Sequence, residues 1–328
     1  MRLETVTVVG AGAWGTALTQ AAAKAGRRVT LIARDETVVA EINERHTNSR
    51  HLGSLPLEPG IAAEPLFVPA DIVILAVPAQ ATRQALSAID PEFLANRPVV
   101  LTAKGLETGT LERQSEILAA MAPDAVPYVL SGPSFAADVA AGRPTAVTLA
   151  GDRASETSAL AAALAGPSLR PYAADDRIGV EVAGALKNVY ALACGAVEGA
   201  GLGLSARSAL MARAYAEMAR IVTAMGGSAT TLTGLAGLGD LTLSCTSPQS
   251  RNYTFGLALG RGERTDTILA GGAKLAEGVA TAPVAVQLAE RLGVEAPLID
   301  AVNRLLAGTA SITDIVTGLM ARPLKRES

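Results

Sequence analysis

Three glycines and a few charged side chains in apolar surroundings carry the chemistry this sequence could perform. Gly10, Gly12 and Gly15, within TVTVVGAGAWGTALTQ, have the spacing G-x-G-x-x-G after an apolar run and before an alanine-rich one. In that context the first glycine makes a tight turn, the second lets backbone approach a pyrophosphate, and the third lets helix pack on strand. The helix start then offers unpaired N–H groups to the anion. Strand, spacing and helix agree, so the pattern points to a bound dinucleotide rather than to a bare turn. The next strand-like run, RVTLIARD, ends at Arg34, 24 residues after Gly10, where an acidic residue would hold the ribose 2′-hydroxyl of NAD. An arginine there suits a 2′-phosphate and favours NADP. Asp35, one place on, keeps NAD open.

Lys187 lies in EVAGALKNVYALACG, a run apolar around almost its whole circumference if helical. A lone Lys-Asn pair in that setting faces a polar cavity more readily than it sits as a surface lysine with an exposed ammonium. Arg251 and Asn252 follow the polar loop SCTSPQS, and a guanidinium fork beside an amide matches a phosphate dianion. Asp240, after Gly-Leu-Gly, either caps a helix or orients Lys187 or a substrate hydroxyl. His46 and His51 sit in a polar stretch without a third ligand, so no metal is expected.

The elements that must position these groups divide the chain. Strands are expected at Thr5–Val9, Arg28–Ala33, Ile72–Ala76, Val99–Thr102, Val126–Ser131 and Ala146–Ala150, with helices at Trp14–Ala25 and Thr37–Glu44. Short strands joined by helices mean a parallel sheet covered on both faces. Later come long Ala-, Leu- and Gly-rich helices, Val180–Ala196, Ala206–Met225, Ala282–Arg291 and Pro297–Ala307. The fold class is therefore α/β: a Rossmann-type parallel-sheet domain, residues 1–178, followed by an all-helical domain, residues 179–328.

Composition excludes other classes. At 49% hydrophobic but 3% aromatic, the core must be built from Ala, Val and Leu. A net charge of −3 with scattered basic residues leaves no footprint for nucleic acid. Cys194 and Cys245 make neither a metal nor a disulfide framework, which fits a reducing cytoplasm. The longest uncharged stretch, Ile221–Gly239, has 19 residues, but five are glycine and five Ser or Thr, so it reads as a helix end plus a loop and no membrane span is expected. Met1-Arg2-Leu3-Glu4 runs straight into an expected strand, so no export leader is expected.

Longer motifs add a resemblance. GAGAWGTAL (10–18), AKGLE (103–107), SGPSFAADVAAGRPTAV (131–147), GALKNVYALACG (184–195), GLAGLGDL (234–241) and SRNYTFG (250–256), ordered over essentially the whole chain, resemble the bacterial-type NAD(P)-dependent glycerol-3-phosphate dehydrogenases. The resemblance implies reversible hydride transfer between NAD(P)H and dihydroxyacetone phosphate, giving sn-glycerol 3-phosphate for phospholipid synthesis. It implies Lys187 as the catalytic proton acceptor and donor, and Lys104 touching both cofactor and substrate. Gly132, Ser134, Asp240, Ser250, Arg251 and Asn252 would complete the substrate site. Ala13, Trp14, Ala136, Arg251, Leu275 and Glu277 would face the cofactor with the three glycines and Arg34. Such chemistry needs a base for the hydroxyl proton and an acid for the ketone oxygen. A lysine serves both if its pKa comes down, through burial or a neighbouring cation such as Lys104.

The chain departs from the family pattern at Leu204-Ser205, where an Asp-Asn pair is usual, at Asp138 for glutamate, at Tyr253 for a basic residue, and at His51-Leu52-Gly53 for Tyr-Leu-Pro. Alternatives are a 3-hydroxyacid or ketopantoate-type reductase, which would need its anion clamp elsewhere, and a non-catalytic dinucleotide sensor, which would not require Lys104, Lys187, Asp240 and Arg251 together. Small-residue helix faces suggest a homodimer.

Overall fold

A computed structural model describes residues 2–271, 276–321 and 323. Eight strands form one sheet: β1 Thr5–Val9, β2 Arg28–Ile32, β3 Ala62–Glu64, β4 Ile72–Leu75, β5 Pro98–Leu101, β6 Val126–Ser131, β7 Thr145–Gly151 and β8 Leu169–Ala174, in the order β3-β2-β1-β4-β5-β6-β7-β8. The helices in this half are α1 Ala13–Lys24, α2 Glu36–Arg45, α3 Ser49–Leu52, α4 Thr82–Ser87, α5 Gln114–Met121, α6 Ala136–Ala140 and α7 Ala154–Leu164. The central strands are apolar on both faces: Ile72, Val73, Ile74 and Leu75 of β4 are all buried, as a doubly covered sheet requires.

The sheet is not wholly parallel. β7 runs antiparallel to β6, with Leu130 opposite Leu149. The link between them, residues 132–144, holds only the five-residue α6 and lacks the full helix that usually carries a parallel crossover. β8, absent from the expected strands, pairs parallel with β7 at the sheet edge, where Pro171 costs no central ladder bond.

The second half holds α8 Arg177–Gly199, α9 Gly203–Ala224, α10 Asp240–Thr246, α11 Arg251–Gly260, α12 Thr265–Ala270, α13 Glu277–Leu292, α14 Pro297–Leu306 and α15 Ile312–Met320. Helix α8 is its axis: every residue from Gly179 to Val197 is buried, with α9, α10, α11 and α13 packed around it. Glycine permits the closest of these contacts. A Cβ on Gly195 would lie 2.1 Å from the Tyr253 carbonyl oxygen, and one on Gly256 would lie 2.1 Å from that of Leu192. By length and apolarity α8 resembles a membrane span, but its apolar window is wholly enclosed by protein. Ile221–Gly239 becomes the end of α9, a 3-10 turn at Ala229–Thr233 and a π-turn at Leu235–Gly239. The halves are tied where Ser115 N–H and Oγ–H, on α5, donate to Glu181 of α8 at 2.8 and 2.7 Å.

Candidate active site

The loop after β1 is shaped by its glycines. Gly10 has φ +111°, and a Cβ there would stand 2.8 Å from the Ala76 carbonyl oxygen. On Gly15 a Cβ would fall 1.9 Å from the Gly10 oxygen, so only glycine lets α1 start this close to the strand. Gly12 is different: nothing lies within 4 Å of the position its Cβ would take. It is also the N-cap of α1, and no side chain caps the helix there. The first N–H groups of α1 thus face an open approach, which fits a dinucleotide pyrophosphate. Ala13 and Trp14 open α1, Trp14 resting on the sheet core, and Ala136 begins α6, which packs against α1.

Arg34 lies beyond the end of β2, exposed, with no hydrogen bond or ion pair to another described residue. Asp35 is already engaged. Its Oδ1 accepts from Thr37 N at 3.0 Å and Thr37 Oγ1 at 2.6 Å, capping α2, and its Oδ2 pairs with Arg50 at 3.2 Å. The Thr37 hydroxyl, with that cap, holds the Asp35 carboxyl below its ordinary 3.8.

Across the sheet's C-terminal edge, three charged groups meet. Lys104, in the loop after β5, donates to Asp240 Oδ2 at 2.6 Å and to the Gly132 carbonyl at 3.1 Å. Lys187, midway along α8, donates to Asp240 Oδ1 at 2.8 Å and to Ser244 Oγ at 2.6 Å. The Asp240 side chain is 2% exposed, so one buried carboxylate faces two ammonium groups. Burial alone would raise the Asp240 carboxyl, but Lys104 and Lys187 overcome it and hold the group below 3.8. Burial pulls the Lys104 ammonium below its ordinary value, Lys187 adding to the fall and Asp240 opposing it. Asp240 opens α10 directly after the π-turn, a widened turn frequent at functional sites.

Around the cluster runs a chain of amides. Asn188 donates to the Lys104 carbonyl at 2.8 Å, Asn252 donates to Asn188 Oδ1 at 2.9 Å, and Gly278 N–H donates to Asn252 Oδ1 at 2.9 Å. Glu277, first residue of α13, accepts from the backbone of Ala79 and lies in the field of Arg251, Lys187 and Lys104; burial outweighs all of them and raises its carboxyl. Ser134 donates to the Gly132 carbonyl at 3.0 Å. Ser250 uses its hydroxyl to cap α11, and Arg251, next to it, is exposed. Leu275 lies outside the described residues. Ser244 is not expected as a site residue from the sequence, and Asn188 is expected there only as half of a Lys-Asn pair facing a polar cavity. Ser244 follows Asp240 by four residues, the spacing that puts two side chains on one helix face.

Two family models cover the chain: the N-terminal part of NAD-dependent glycerol-3-phosphate dehydrogenase at residues 5–157 and the C-terminal part at residues 176–317. The chain belongs to the NAD-dependent glycerol-3-phosphate dehydrogenase family. It is 48% identical over 331 residues to a glycerol-3-phosphate dehydrogenase (NAD(P)+) of Caulobacter vibrioides, with 100% of each chain covered. A protein of the same description from Maricaulis maris is 49% identical, covering 99% of this chain and 98% of that one. The crystal structure of glycerol-3-phosphate dehydrogenase from Coxiella burnetii superposes with a TM-score of 0.89 at 35% identity, covering 97% and 99% of the two chains.

None of the residues read from the sequence as departures from the glycerol-3-phosphate dehydrogenase family pattern is among the described hydrogen-bond partners of the Lys104 and Lys187 side chains. Leu204 and Ser205 are exposed at the start of α9. Tyr253 donates its hydroxyl to Glu198, which also pairs with Arg207; Arg207 in turn donates to the Tyr253 oxygen at 3.1 Å. That group closes the far end of α8. Asp138 pairs with Arg143.

Proposed function

We propose that the protein interconverts sn-glycerol 3-phosphate and dihydroxyacetone phosphate with NAD(P), the reaction for which its relatives are named, feeding glycerophospholipid synthesis. The observation that carries this reading is the pair of lysines converging on Asp240 at the C-terminal edge of the sheet whose first strand leads into the open glycine loop. Both lie near Arg251 and Asn252, suited to a phosphate. Bound NAD(P)H would give hydride to the carbonyl carbon, and NAD(P)+ would take it back.

The residues do the rest. Lys187 donates its proton to the ketone oxygen in reduction and takes the hydroxyl proton in oxidation. Asp240 and Ser244 fix the direction of its Nζ. Lys104, with a weakened hold on its own proton, lies against the Gly132 carbonyl and orients substrate while helping to confine cofactor. Gly132, Ser134 and Ser250 line the substrate space; Ala136, Arg251 and Glu277 face the cofactor. We assign residues 1–178 to cofactor binding and 179–328 to most of the catalytic groups. Arg34, exposed and with no partner among the described residues, beside an Asp35 already engaged, supports a preference for NADP. The buried free thiols of Cys194 and Cys245 support residence in the cytoplasm, and a homodimer completes the proposal.

The test is oxidation of NADPH or NADH by the purified protein with dihydroxyacetone phosphate. Wild type should turn over. Lys187→Ala should lose at least about 100-fold in kcat, as expected for a removed general acid–base group, while still binding NADPH. Wild type that binds NADPH but leaves it unoxidised would sink the triose-phosphate reading and turn attention to carboxylate substrates or a sensor.

A further inference from the structure

Asn48 stands at the N-cap position of α3, a place where its side chain would ordinarily cap its own helix. It makes no such bond. Instead the side chain is wholly buried and donates from Nδ2 to the Ala11 carbonyl at 3.0 Å and to Thr16 Oγ1 at 2.8 Å. Its Oδ1 is buried without a partner among the described residues. Burying an unpaired acceptor is unfavourable, so the two donated bonds must compensate.

Ala11 is the residue between Gly10 and Gly12. In a trans peptide the carbonyl of one residue and the N–H of the next point in opposite directions. Pulling the Ala11 oxygen toward Asn48 therefore turns the Gly12 N–H the other way. Gly12 is also the residue whose Cβ position opens on unfilled space. Thr16, the second partner, belongs to the first turns of α1 and is itself buried, so Asn48 ties the loop to the helix whose N-terminus faces the same approach.

We propose that Asn48 is a positioning residue of the cofactor site: it fixes the Ala11 peptide so that the Gly12 N–H is held ready for the dinucleotide pyrophosphate. The proposal rests on the cofactor reading above. The pyrophosphate is common to NADH and NADPH, so Asn48 acts on both alike, unlike Arg34.

The full-length protein supplies its own probe, because Trp14 is the sole tryptophan and stands in the first turn of α1, directly after this loop. Quenching of its fluorescence by NADPH and by NADH gives the two dissociation constants. Asn48→Ala should raise both by the same factor, about tenfold, the scale of one hydrogen bond. The KM for dihydroxyacetone phosphate at saturating cofactor should hold. Asn48→Leu keeps the volume and removes the orphaned acceptor, so it guards against a variant that merely fails to fold; it should show the same rise. Asn43 is the control. It brackets Ala63 with two backbone bonds of 2.9 and 2.8 Å, away from the loop, so Asn43→Ala should lower the melting temperature without moving either constant. A folded Asn48→Leu with wild-type constants, or one altered toward NADPH alone, overturns the proposal. Wild type that binds neither dinucleotide overturns the cofactor reading instead.

Discussion

At the lysine cluster, charge is buried and paired over long stretches of chain; at the dinucleotide loop and the end of β2, binding groups are backbone or exposed and come from neighbouring residues. Lys104 meets Asp240 across 136 residues and Lys187 meets it across 53. Gly10 to Gly15 do their work within one turn, and Arg34 stands in solvent one residue from an engaged Asp35. The buried cluster can exist only when both halves are docked, since its carboxylate sits on α10 and one of its cations on the sheet's edge. The loop is held by β1, β2, β4, α1 and the Asn48 side chain, all within the first half. Recognition of the cofactor and assembly of the proposed proton-transfer group are therefore separable, and substitutions can test how far.

Asp240→Asn should have the largest effect. Breaking a buried ion pair by removing one partner costs about 3–5 kcal/mol in general, because the remaining charges stay buried. Here two ammonium groups lose their common counter-ion, so the melting temperature should fall and kcat should drop on the order of 1000-fold as Lys187 loses its orientation. The pH dependence has a definite sign. The Asp240 carboxyl is held below 3.8, so its stabilisation is present above that pH and is lost as the pH falls through the depressed value. Melting temperature plotted against pH should accordingly show a shallower acid limb in Asp240→Asn than in wild type. NADPH binding should persist; a loss in step with kcat would show that the two regions are one unit.

Gly12→Val probes the other region. Gly12 has φ −70° and ψ 178°, backbone that any residue adopts, and its Cβ direction is empty. The fold should tolerate the change while cofactor affinity falls about 100-fold, the side chain taking the pyrophosphate's place. Gly15→Ala should do the reverse first, lowering the melting temperature because its Cβ would meet the Gly10 oxygen. Calorimetry with and without NADPH separates the two. Equal destabilisation by both would mean that Gly12 shapes the turn rather than the approach.

The same contrast decides what was legible in the sequence. Thr5–Val9 and Val126–Ser131 match their expected bounds because each is a short run bounded by glycine or a turn. β3 has three residues, too few to show a period, and β8 carries a proline that argues against a strand unless its edge position is known. Lys187 stood out because it interrupts an apolar helix, and the structure buries it. Nothing local announces that Lys104 and Lys187 share Asp240, for a contact between distant segments leaves no spacing to read. Ser244 lay closer to hand: Asp240 and Ser244 are one helical turn apart, a signal visible once α10 is taken as a helix. Asp35 is the converse case, since its place in the motif suggested the ribose while its cap on α2 and its pairing with Arg50 occupy both oxygens.

The smallest effect belongs to Arg34, and it sharpens the comparison most finely. Arg34→Ala removes an exposed cation with no described partner, so stability should not change. If its guanidinium meets a 2′-phosphate, KM for NADPH should rise about tenfold, the scale of one exposed charge-assisted contact, while KM for NADH stays put. Salt gives a second reading, because interactions between exposed charges are screened over about 8–10 Å at ordinary ionic strength. The wild-type KM for NADPH should climb with added salt, and the variant's should climb less. The Lys187-dependent kcat, set inside a buried ion pair, should barely respond to the same salt. An equal rise for NADH would move Arg34 from the 2′-phosphate to a part of the cofactor that both dinucleotides share, and the exposed region would then govern affinity rather than choice of cofactor.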